Sequence, residues 1–398
     1  MSGLKVTVVG GGIGGSAAAL ALLRAGCDVH VYEQVASKSE VGAGIQLSPN
    51  ATRLLHRYGL ADALGGVAVK PSHVEIKRWD DGRILGREEL GRAVEEAYGA
   101  PYYHFHRADL LSILTAALPA ERLHSGWRCV DVRQTNAGAT TVFDDGTAID
   151  SDVVVGADGI HSVVRKVLFG DERPRFSGNV AYRGLARAER LTHLNLEHCA
   201  TNWMGPGGHF VHYFVSGGRF LNFVAVSEQD SWDRESWNDR GNVADAKRCY
   251  AGWHPQIHQI LGAVDETFKW ALFDRPPLSA WSVGRVTLLG DACHPMLPYM
   301  AQGAAQAIED GATLAACLTG IAPAGVAEAL ANYETWRKPR TAAIQLAARG
   351  NATTFHLVDG VEQQKRDAEM AAWVGLSPRR EAIFGFDAER LQPAAPLS

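Results

Sequence analysis

The stretch Lys5-Val6-Thr7-Val8-Val9-Gly10-Gly11-Gly12-Ile13-Gly14-Gly15 decides the fold of this chain. The β-branched residues before Gly10 favour a strand, and residues 13–25, rich in Ala and Leu, favour a helix. Gly26 follows as a helix stop, and residues 28–33 return to an extended pattern. The order strand, glycine turn, helix, strand predicts a βαβ unit.

The glycines of this turn match the pattern G-x-G-x-x-G at Gly10, Gly12 and Gly15. The first glycine permits a tight turn, the second lets a pyrophosphate approach the backbone, and the third lets the helix pack on the strand. Glu33 ends the second strand, where a carboxylate accepts hydrogen bonds from a ribose and repels a 2′-phosphate. The unit therefore predicts a dinucleotide such as FAD or NAD, and the alternative is a glycine turn without a ligand.

Composition narrows the class of protein. The chain has 398 residues, 39 Lys or Arg against 44 Asp or Glu, a net charge of −5 and 46% hydrophobic residues. This length predicts two or three lobes with a sizeable core and excludes disorder. Without basic clusters, we expect no nucleic acid and no membrane as partners. The sequence does not decide whether the protein is a monomer or a homodimer.

Cysteine usage and the N-terminus indicate the compartment. Six cysteines are scattered without a C-x-x-C pair, which predicts free thiols in a reducing cytosol. No stretch approaches the roughly 20 apolar residues of a membrane span, and the chain enters a strand pattern without a signal peptide. We therefore expect a cytoplasmic protein.

Several later segments also predict elements near a ligand. A second glycine-rich segment covers residues 41–47, and Arg107 opens a helix from which it reaches a phosphate, a ring or a surface ion pair. Asp145-Gly146 predicts a hairpin, and residues 180–226 predict a second sheet. Residues 285–289 predict a buried strand that leads into Gly290-Asp291 and a helix, which is the edge where open α/β sheets bind ligands.

The remaining stretch, residues 326–386, predicts mostly helix. It includes the cationic run Trp336-Arg337-Lys338-Pro339-Arg340, which we interpret as a solvated helix face rather than a binding patch.

Three motifs in order resemble those of the single-component (group A) FAD-dependent aromatic hydroxylases. They are the glycine turn with Glu33, the D-G-x-x-S-x-x-R pattern from Asp158 to Arg165, and Gly290-Asp291. The resemblance covers residues 4–345. The loop at 291–304 and residues 384–387 are similar to the subgroup of salicylate hydroxylase, 3-hydroxybenzoate 6-hydroxylase and 6-hydroxynicotinate 3-monooxygenase.

This resemblance implies an α/β fold. A doubly wound, Rossmann-like FAD-binding domain is interleaved with an α+β substrate domain built on a mixed β-sheet, and a helical region follows at the C-terminus. The implied FAD-binding domain covers residues 1–70, 100–175 and 275–330. The implied substrate domain covers 71–99 and 176–274, and residues 331–398 form the C-terminal region.

The resemblance also implies which residues bind the cofactor. The turn glycines hold the pyrophosphate, Glu33 the adenosine ribose, and Asp291 the ribityl hydroxyls, while the helix after Gly303 points its positive end at the flavin. For Asp158 and Ser162 a strand-end turn with a helix N-cap remains the alternative to ligand contact. The implied cofactor-binding residues are Gly10, Gly12, Gly15, Glu33, Gln46, Arg107, Asp158, Asp291, Gly303 and Ala304.

The implied reaction begins with reduction of FAD by NADH or NADPH, which binds only transiently. Oxygen is captured as a C4a-hydroperoxyflavin, and one oxygen atom passes to a hydroxylated aromatic or heteroaromatic carboxylate. A histidine suits the deprotonation of the substrate hydroxyl. His209 and Tyr213 share one strand face and His212 the other. The resemblance implies polar active-site groups at the first two positions, so we assign His209 and Tyr213 as catalytic and substrate-binding, and the alternative is that they are ordinary sheet residues. Gln46, Pro295 and Met296 complete the predicted substrate contacts.

Three residues differ from those that the subgroup has at the same positions. The 6-hydroxynicotinate enzymes have His at the positions of Gln46 and Tyr299, and the 3-hydroxybenzoate enzymes have Gln at the position of Pro298. The identity of the substrate is therefore left open.

The enzymatic alternative is an FAD-dependent dehydrogenase or oxidase of the same fold that inserts no oxygen. A flavoprotein that serves only as a binding module would have lost the glycines or Gly290-Asp291, and a halogenase would show a W-x-W-x-x-I segment that is missing here.

Overall fold

The computed structural model describes residues 3–36, 43–229, 239–373 and 375–397. The first two residues of the glycine-rich segment predicted at 41–47 lie outside this range. The helices of the described residues are α1 (Ile13–Arg24), α2 (Pro49–Arg57), α3 (Ala61–Gly65), α4 (Gly91–Tyr98), α5 (Arg107–Ala116), α6 (Val163–Phe169), α7 (Val243–Cys249), α8 (Pro255–Gly262), α9 (Gly303–Leu318), α10 (Val326–Phe355), α11 (Val361–Ala371) and α12 (Pro378–Phe384).

The predicted βαβ unit forms the centre of a six-stranded sheet. Its strands in chain order are β1 (Lys5–Val9), β2 (Asp28–Glu33), β7 (Leu123–Ser125), β11 (Val153–Gly156), β18 (Ser282–Val283) and β19 (Val286–Leu288). The spatial order is β18-β19-β11-β1-β2-β7, and only the β18–β19 pair is antiparallel. Strands β11 and β19 are fully buried, as expected for parallel strands that are covered on both faces.

Two helices pack closely against each other beside this sheet. A Cβ atom on Gly311 of α9 would lie 2.7 Å from the Cα atom of Ala18 in α1. This close crossing holds the N-terminal ends of both helices near the carboxyl ends of β1 and β19. The structure therefore has the doubly wound arrangement that the glycine turn and the apolar strands of the sequence predict.

A mixed eight-stranded sheet forms the second layer. Its strands are β4 (His73–Arg78), β5 (Ile84–Glu89), β12 (Arg175–Arg187), β13 (Ala200–Gly205), β14 (Gly208–Val215), β15 (Phe220–Glu228), β16 (Asp239–Gly241) and β17 (Thr267–Asp274). The spatial order is β16-β17-β12-β15-β14-β13-β4-β5, with only β13–β4 parallel. The chain reaches this sheet between visits to the first one, so the predicted interleaving is present, while the domain boundaries stay a prediction.

Two small antiparallel sheets complete the strands. They contain β3 (Gly44–Leu47) with β6 (Tyr103–His106), and β8 (Cys129–Gln134), β9 (Ala139–Phe143) and β10 (Ala148–Ser151). The predicted turn Asp145-Gly146 joins β9 to β10. The six cysteines are unpaired, five of them buried and Cys249 exposed. Among the described residues, none of the helices combines the length and hydropathy that crossing a bilayer requires.

The interpretation of residues 336–340 as a solvated helix face is wrong. Arg337 and Arg340 lie on the buried face of α10 and are 0% and 2% exposed. Arg337 donates to Asp310 at 2.8 Å, and Arg340 donates to Glu309 at 2.8 Å. Both acids lie on α9, so the cationic run ties the C-terminal helix to the helix that faces the site.

Candidate active site

A cavity of about 790 Å³ lies between the two large sheets. The glycine turn, the start of α9 and the loop before it line one side. The cavity-facing residues of β13, β14 and β15 line the other. The structure thus brings together the predicted residues Gly12, Gln46, Arg107, His209, Tyr213, Asp291, Met296, Gly303 and Ala304.

The three glycines of the turn have different surroundings. A Cβ atom on Gly15 would lie 1.9 Å from the carbonyl oxygen of Gly10, and Gly10 has φ +104°, which is strained for other residues. A Cβ atom on Gly12, by contrast, would meet no atom within 4 Å. Gly10 and Gly15 therefore build the turn behind the cavity wall, and Gly12 leaves space for a ligand.

Two helix N-termini face this space without partners of their own. Helix α1 has Gly12 as its N-cap and α9 has Gln302, and neither helix has a side-chain cap or an acid in its first turn. Uncapped backbone N–H groups and the positive end of the helix dipole favour an anion. The pyrophosphate of FAD fits at α1, and an anionic flavin ring fits at α9.

Glu33 lies beside the turn, outside the cavity lining. Its carboxylate accepts hydrogen bonds from the backbone N–H of Gly11 at 2.7 Å and of Val35 at 2.8 Å. A carboxylate has about four acceptor positions, so it retains capacity for a ribose hydroxyl. Glu33 therefore braces the glycine turn, and its contact with the ribose stays a prediction.

Asp158 turns toward its own loop. Its carboxylate accepts the hydroxyl of Ser162 and the backbone N–H of Val163 at 2.7 Å, while the Ser162 hydroxyl accepts the N–H of Arg165 at 2.8 Å. These contacts cap α6 and correspond to the helix-cap alternative. Asp158 is not on the cavity wall, so contact with the cofactor stays a prediction that this geometry does not favour.

Asp291 and Arg107 face each other across the cofactor side of the cavity. Desolvation raises the pKa of Asp291, and His294 and Arg107 act in the opposite direction. Asp291 is an exposed residue that lines the cavity. An acid in this position can accept hydrogen bonds from polyol hydroxyls, and its contact with the ribityl chain stays a prediction.

The substrate side is built by strand alternation. His209, Val211 and Tyr213 of β14 line the cavity, whereas His212 lies on the other face, as the period of two predicts. Burial raises the pKa of Tyr213 well above its usual value, so its hydroxyl keeps its proton at neutral pH and is able to donate a hydrogen bond. Tyr102 donates a hydrogen bond to Gln46 at 2.6 Å. Pro295 lies buried behind the wall, where its carbonyl accepts a hydrogen bond from Gln345 at 2.8 Å.

Arg183 of β12 is a cavity residue that the sequence analysis missed. It pairs with Val224, which pairs with Val211, so all three point to the same face of the sheet. Its guanidinium carbon lies 3.7 Å from the centre of the Trp270 ring, and its buried Nε has no hydrogen-bond partner in the part of the chain that the structure describes. Within the described residues, Tyr213 and Arg107 act electrostatically on it, and neither is negative at neutral pH. Burial lowers the pKa of Arg183 to about 10, so it remains a cation.

His209 belongs to a second group that sequence reasoning missed. Its Nδ1 lies 2.8 Å from Nε2 of His356, and Nδ1 of His356 lies 3.2 Å from Oε1 of Glu228. Both histidines are buried, while the side chain of Glu228 is 58% exposed. His356 follows α10 and lies 147 residues from His209, so no sequence pattern connects them.

Comparison with known proteins agrees with this geometry. Residues 3–348 match the model of the FAD binding domain family, and the chain belongs to that family. It is 43% identical over 384 residues to a 3-amino-4-hydroxybenzoate 2-monooxygenase, PtmB3, of Streptomyces platensis, covering 96% of both chains. It is 37% identical to a 6-hydroxynicotinate 3-monooxygenase of Pseudomonas fluorescens, covering 87% of this chain and 91% of the relative. A crystal structure of Klebsiella pneumoniae HpxO with FAD and uric acid has a TM-score of 0.83 at 29% identity and covers 93% of this chain and 94% of its own.

Proposed function

We propose that this protein is an FAD-dependent monooxygenase that uses NADH or NADPH and O₂ to hydroxylate an aromatic carboxylate with a hydroxyl or amino substituent. The family and the relatives support the oxygen-inserting class over a dehydrogenase or oxidase of the same fold. The relatives at 41–44% identity make 3-amino-4-hydroxybenzoate the first substrate to test.

The observation that carries the substrate class is the cation of Arg183 on the cavity wall. A buried charge without a partner is costly, and a carboxylate that binds to a guanidinium removes that cost. Arg183 therefore selects an anionic ligand at this end of the substrate side.

The sheet geometry supports a substituent opposite the carboxylate. Arg183 lies two strands from Val211, a Cα separation of about 10 Å at the usual strand spacing. His209 and Tyr213 flank Val211 on β14. A ring whose carboxylate pairs with Arg183 would lie over Val211 and Val224 and direct its para substituent toward His209. This arrangement favours 4-hydroxybenzoate types over 2-hydroxybenzoate.

The residues of the chain divide the work around the cofactor. Gly12 and the start of α1 would hold the pyrophosphate, Asp291 the ribityl chain and the start of α9 the flavin ring. Bound FAD supplies the redox and oxygen-transfer chemistry. The sheet orients the ring, Tyr213 donates a hydrogen bond to the substrate, and His209 accepts the proton that the substrate hydroxyl releases. Apolar Val211, Val224 and Met296 limit water around the ring.

A substrate panel tests this proposal. NADH and NADPH consumption by the FAD-loaded protein would be followed with 3-amino-4-hydroxybenzoate, 4-hydroxybenzoate, 2-hydroxybenzoate and 6-hydroxynicotinate, and with the carboxamide of each. We expect acceleration and a product heavier by one oxygen with a para-substituted acid, and little effect from its carboxamide. Equal stimulation by acid and carboxamide would remove Arg183 from the substrate site.

A further inference from the structure

The strongest unassigned feature is the buried chain of hydrogen-bonding groups that begins at His209 and ends at the surface. We propose that His356 and Glu228 form a proton path that carries the substrate's proton from His209 to solvent. The inference rests on the proposed function, because it requires a substrate that releases a proton beside His209.

Glu228 fixes the direction of the hydrogen bonds. An ionised carboxylate only accepts, so the proton between Glu228 and His356 belongs to Nδ1 of His356. Burial lowers the pKa of His356, which keeps its ring neutral at pH 7, so its Nε2 is an acceptor. Nδ1 of His209 must then donate to that Nε2.

This assignment makes His209 competent as a base. With its proton on Nδ1, the ring has a lone pair on Nε2, and the ring lines the cavity. Burial and the neighbouring His356 lower the pKa of His209, so the lone pair is available at neutral pH. A lone histidine with such a low pKa would be a weak proton acceptor, and passing a second proton onward removes the need to hold a charge in the protein interior.

The transfer balances at every step. The substrate hydroxyl gives its proton to Nε2 of His209, the Nδ1 proton of His209 passes to Nε2 of His356, and the Nδ1 proton of His356 passes to the Glu228 carboxylate. Neither ring is left charged, and the exposed carboxylate gives the proton to water. The charge left on the substrate is on its hydroxyl oxygen.

Few other titratable groups lie close enough to the path to exchange protons with its histidines. Tyr299 packs edge-on against the His209 ring with centres 4.9 Å apart, and burial keeps this tyrosine a phenol. Tyr250 donates its hydroxyl to the backbone carbonyls of His209 and Val226, both at 2.7 Å. From the C-terminal side, Phe355 covers the His209 ring. Among these described neighbours, Glu228 is the only charged group that contacts the two histidines.

Histidine nitrogen NMR of the FAD-loaded protein tests the path without turnover. We expect both His209 and His356 as the Nδ1-protonated tautomer, which is the less common form in water. The Glu228→Gln variant should lose this preference, because an amide can donate as well as accept. Nε2-protonated His209 in the unaltered protein would overturn the proposal.

Single-turnover hydroxylation of 3-amino-4-hydroxybenzoate gives the second readout. We expect Glu228→Gln and His356→Ala to slow hydroxylation by about ten-fold at pH 7, with rates that rise with pH and, for His356→Ala, recover with added imidazole. His212→Gln is the matched control, since His212 is equally buried on the same strand but faces away from the cavity. Unaltered rates and pH profiles in both path variants would overturn the path.

The two readouts separate the failure of the path from that of the function. If the tautomers are as expected but no substrate of the panel gains oxygen, the proposed function is wrong. If oxygen is inserted but the tautomers or the pH profiles are not as expected, the path is wrong and the function stands.

Discussion

Arg337 and Arg183 are both cations inside the protein, and their surroundings are opposite. Arg337 is fully buried and binds Asp310 and the side chain of Gln306, at 2.8 and 2.7 Å. Arg183 lines the cavity with a buried Nε that has no hydrogen-bond partner among the described residues. The first charge is neutralised by the chain itself, and the second is available to a ligand.

This difference distinguishes a charge that stabilises the fold, that of Arg337, from a charge that can bind a ligand, that of Arg183. Although burial opposes their ionisation, the pKa values of both acids are lowered, that of Glu309 by Arg340 and Arg337 and that of Asp310 by His294 and Arg337. Such a network stabilises only as a complete set. Arg183 packs on the Trp270 ring but has no carboxylate partner among the described residues, so its charge is available to a ligand.

The largest effect should follow from breaking the complete network. Arg337→Met leaves Asp310 and Glu309 buried with one cation fewer, so we expect the free energy of unfolding to fall by about 3–5 kcal/mol. Urea unfolding measures this loss. The control Arg133→Met removes an exposed pair with Asp131 and should change it by less than about 1 kcal/mol. Similar small losses in both variants would contradict the structural role of Arg337.

Acid should destabilise the protein through buried histidines that lack compensation. Burial lowers the pKa values of His104 and His212 to about 3. Between that value and about 6.5, the unfolded chain binds these two protons and the native protein does not, so stability falls as the pH falls. We expect roughly 3 kcal/mol per pH unit from the pair.

Urea unfolding between pH 6 and 4 measures that slope, in the presence of saturating FAD. His104→Leu should reduce it by about half of the pair's contribution, whereas His193→Leu, at an exposed position, should leave it unchanged. A slope that His104→Leu does not alter would show that His104 binds a proton in the native protein.

Removal of the unpaired cation should affect binding and leave folding intact. For Arg183→Met we expect an unchanged or slightly higher free energy of unfolding and an affinity for 3-amino-4-hydroxybenzoate on the order of 100-fold lower. Equilibrium titration of flavin absorbance gives the affinity. A variant that binds the acid normally, or that unfolds as readily as Arg337→Met, would erase the distinction between the two arginines.

The smallest effect concerns Glu33. Its carboxylate braces Gly11 and is predicted to bind the ribose, so Glu33→Gln should weaken FAD binding by about ten-fold. Fluorescence titration of the apoprotein with FAD measures this change. Asp131→Asn serves as the exposed control, and an unaltered affinity for Glu33→Gln would limit Glu33 to bracing the turn.

The sequence predicts the parts of the site that local rules determine. The glycine turn requires small residues at fixed spacing, and the alternation of a strand places His209 and Tyr213 on one face. The same local reasoning failed for Arg337, because charged residues at helical spacing are typical of an exposed face. Only the packing of α10 on α9 shows that Arg337 and Arg340 are buried.

Arg183 and His356 could not be predicted for a different reason. A charged residue in a strand is typical of a solvent-exposed face, and the register of β12 with β15 decides that Arg183 faces the cavity. His356 meets His209 only because the end of α10 packs against the second sheet. Both contacts depend on which distant segments of the chain pair with each other. Local patterns in a single sequence do not show this pairing.

The account depends most on oxygen insertion into an anionic aromatic substrate. The most direct test supplies the FAD-loaded protein with NADH, 3-amino-4-hydroxybenzoate and O₂ of the heavy isotope, followed by mass spectrometry of the product. The account predicts a product that contains one heavy oxygen atom, and loss of that product in Arg183→Met. Consumption of NADH with hydrogen peroxide as the only oxygen product, for this acid and for the rest of the panel, would contradict it and favour an oxidase.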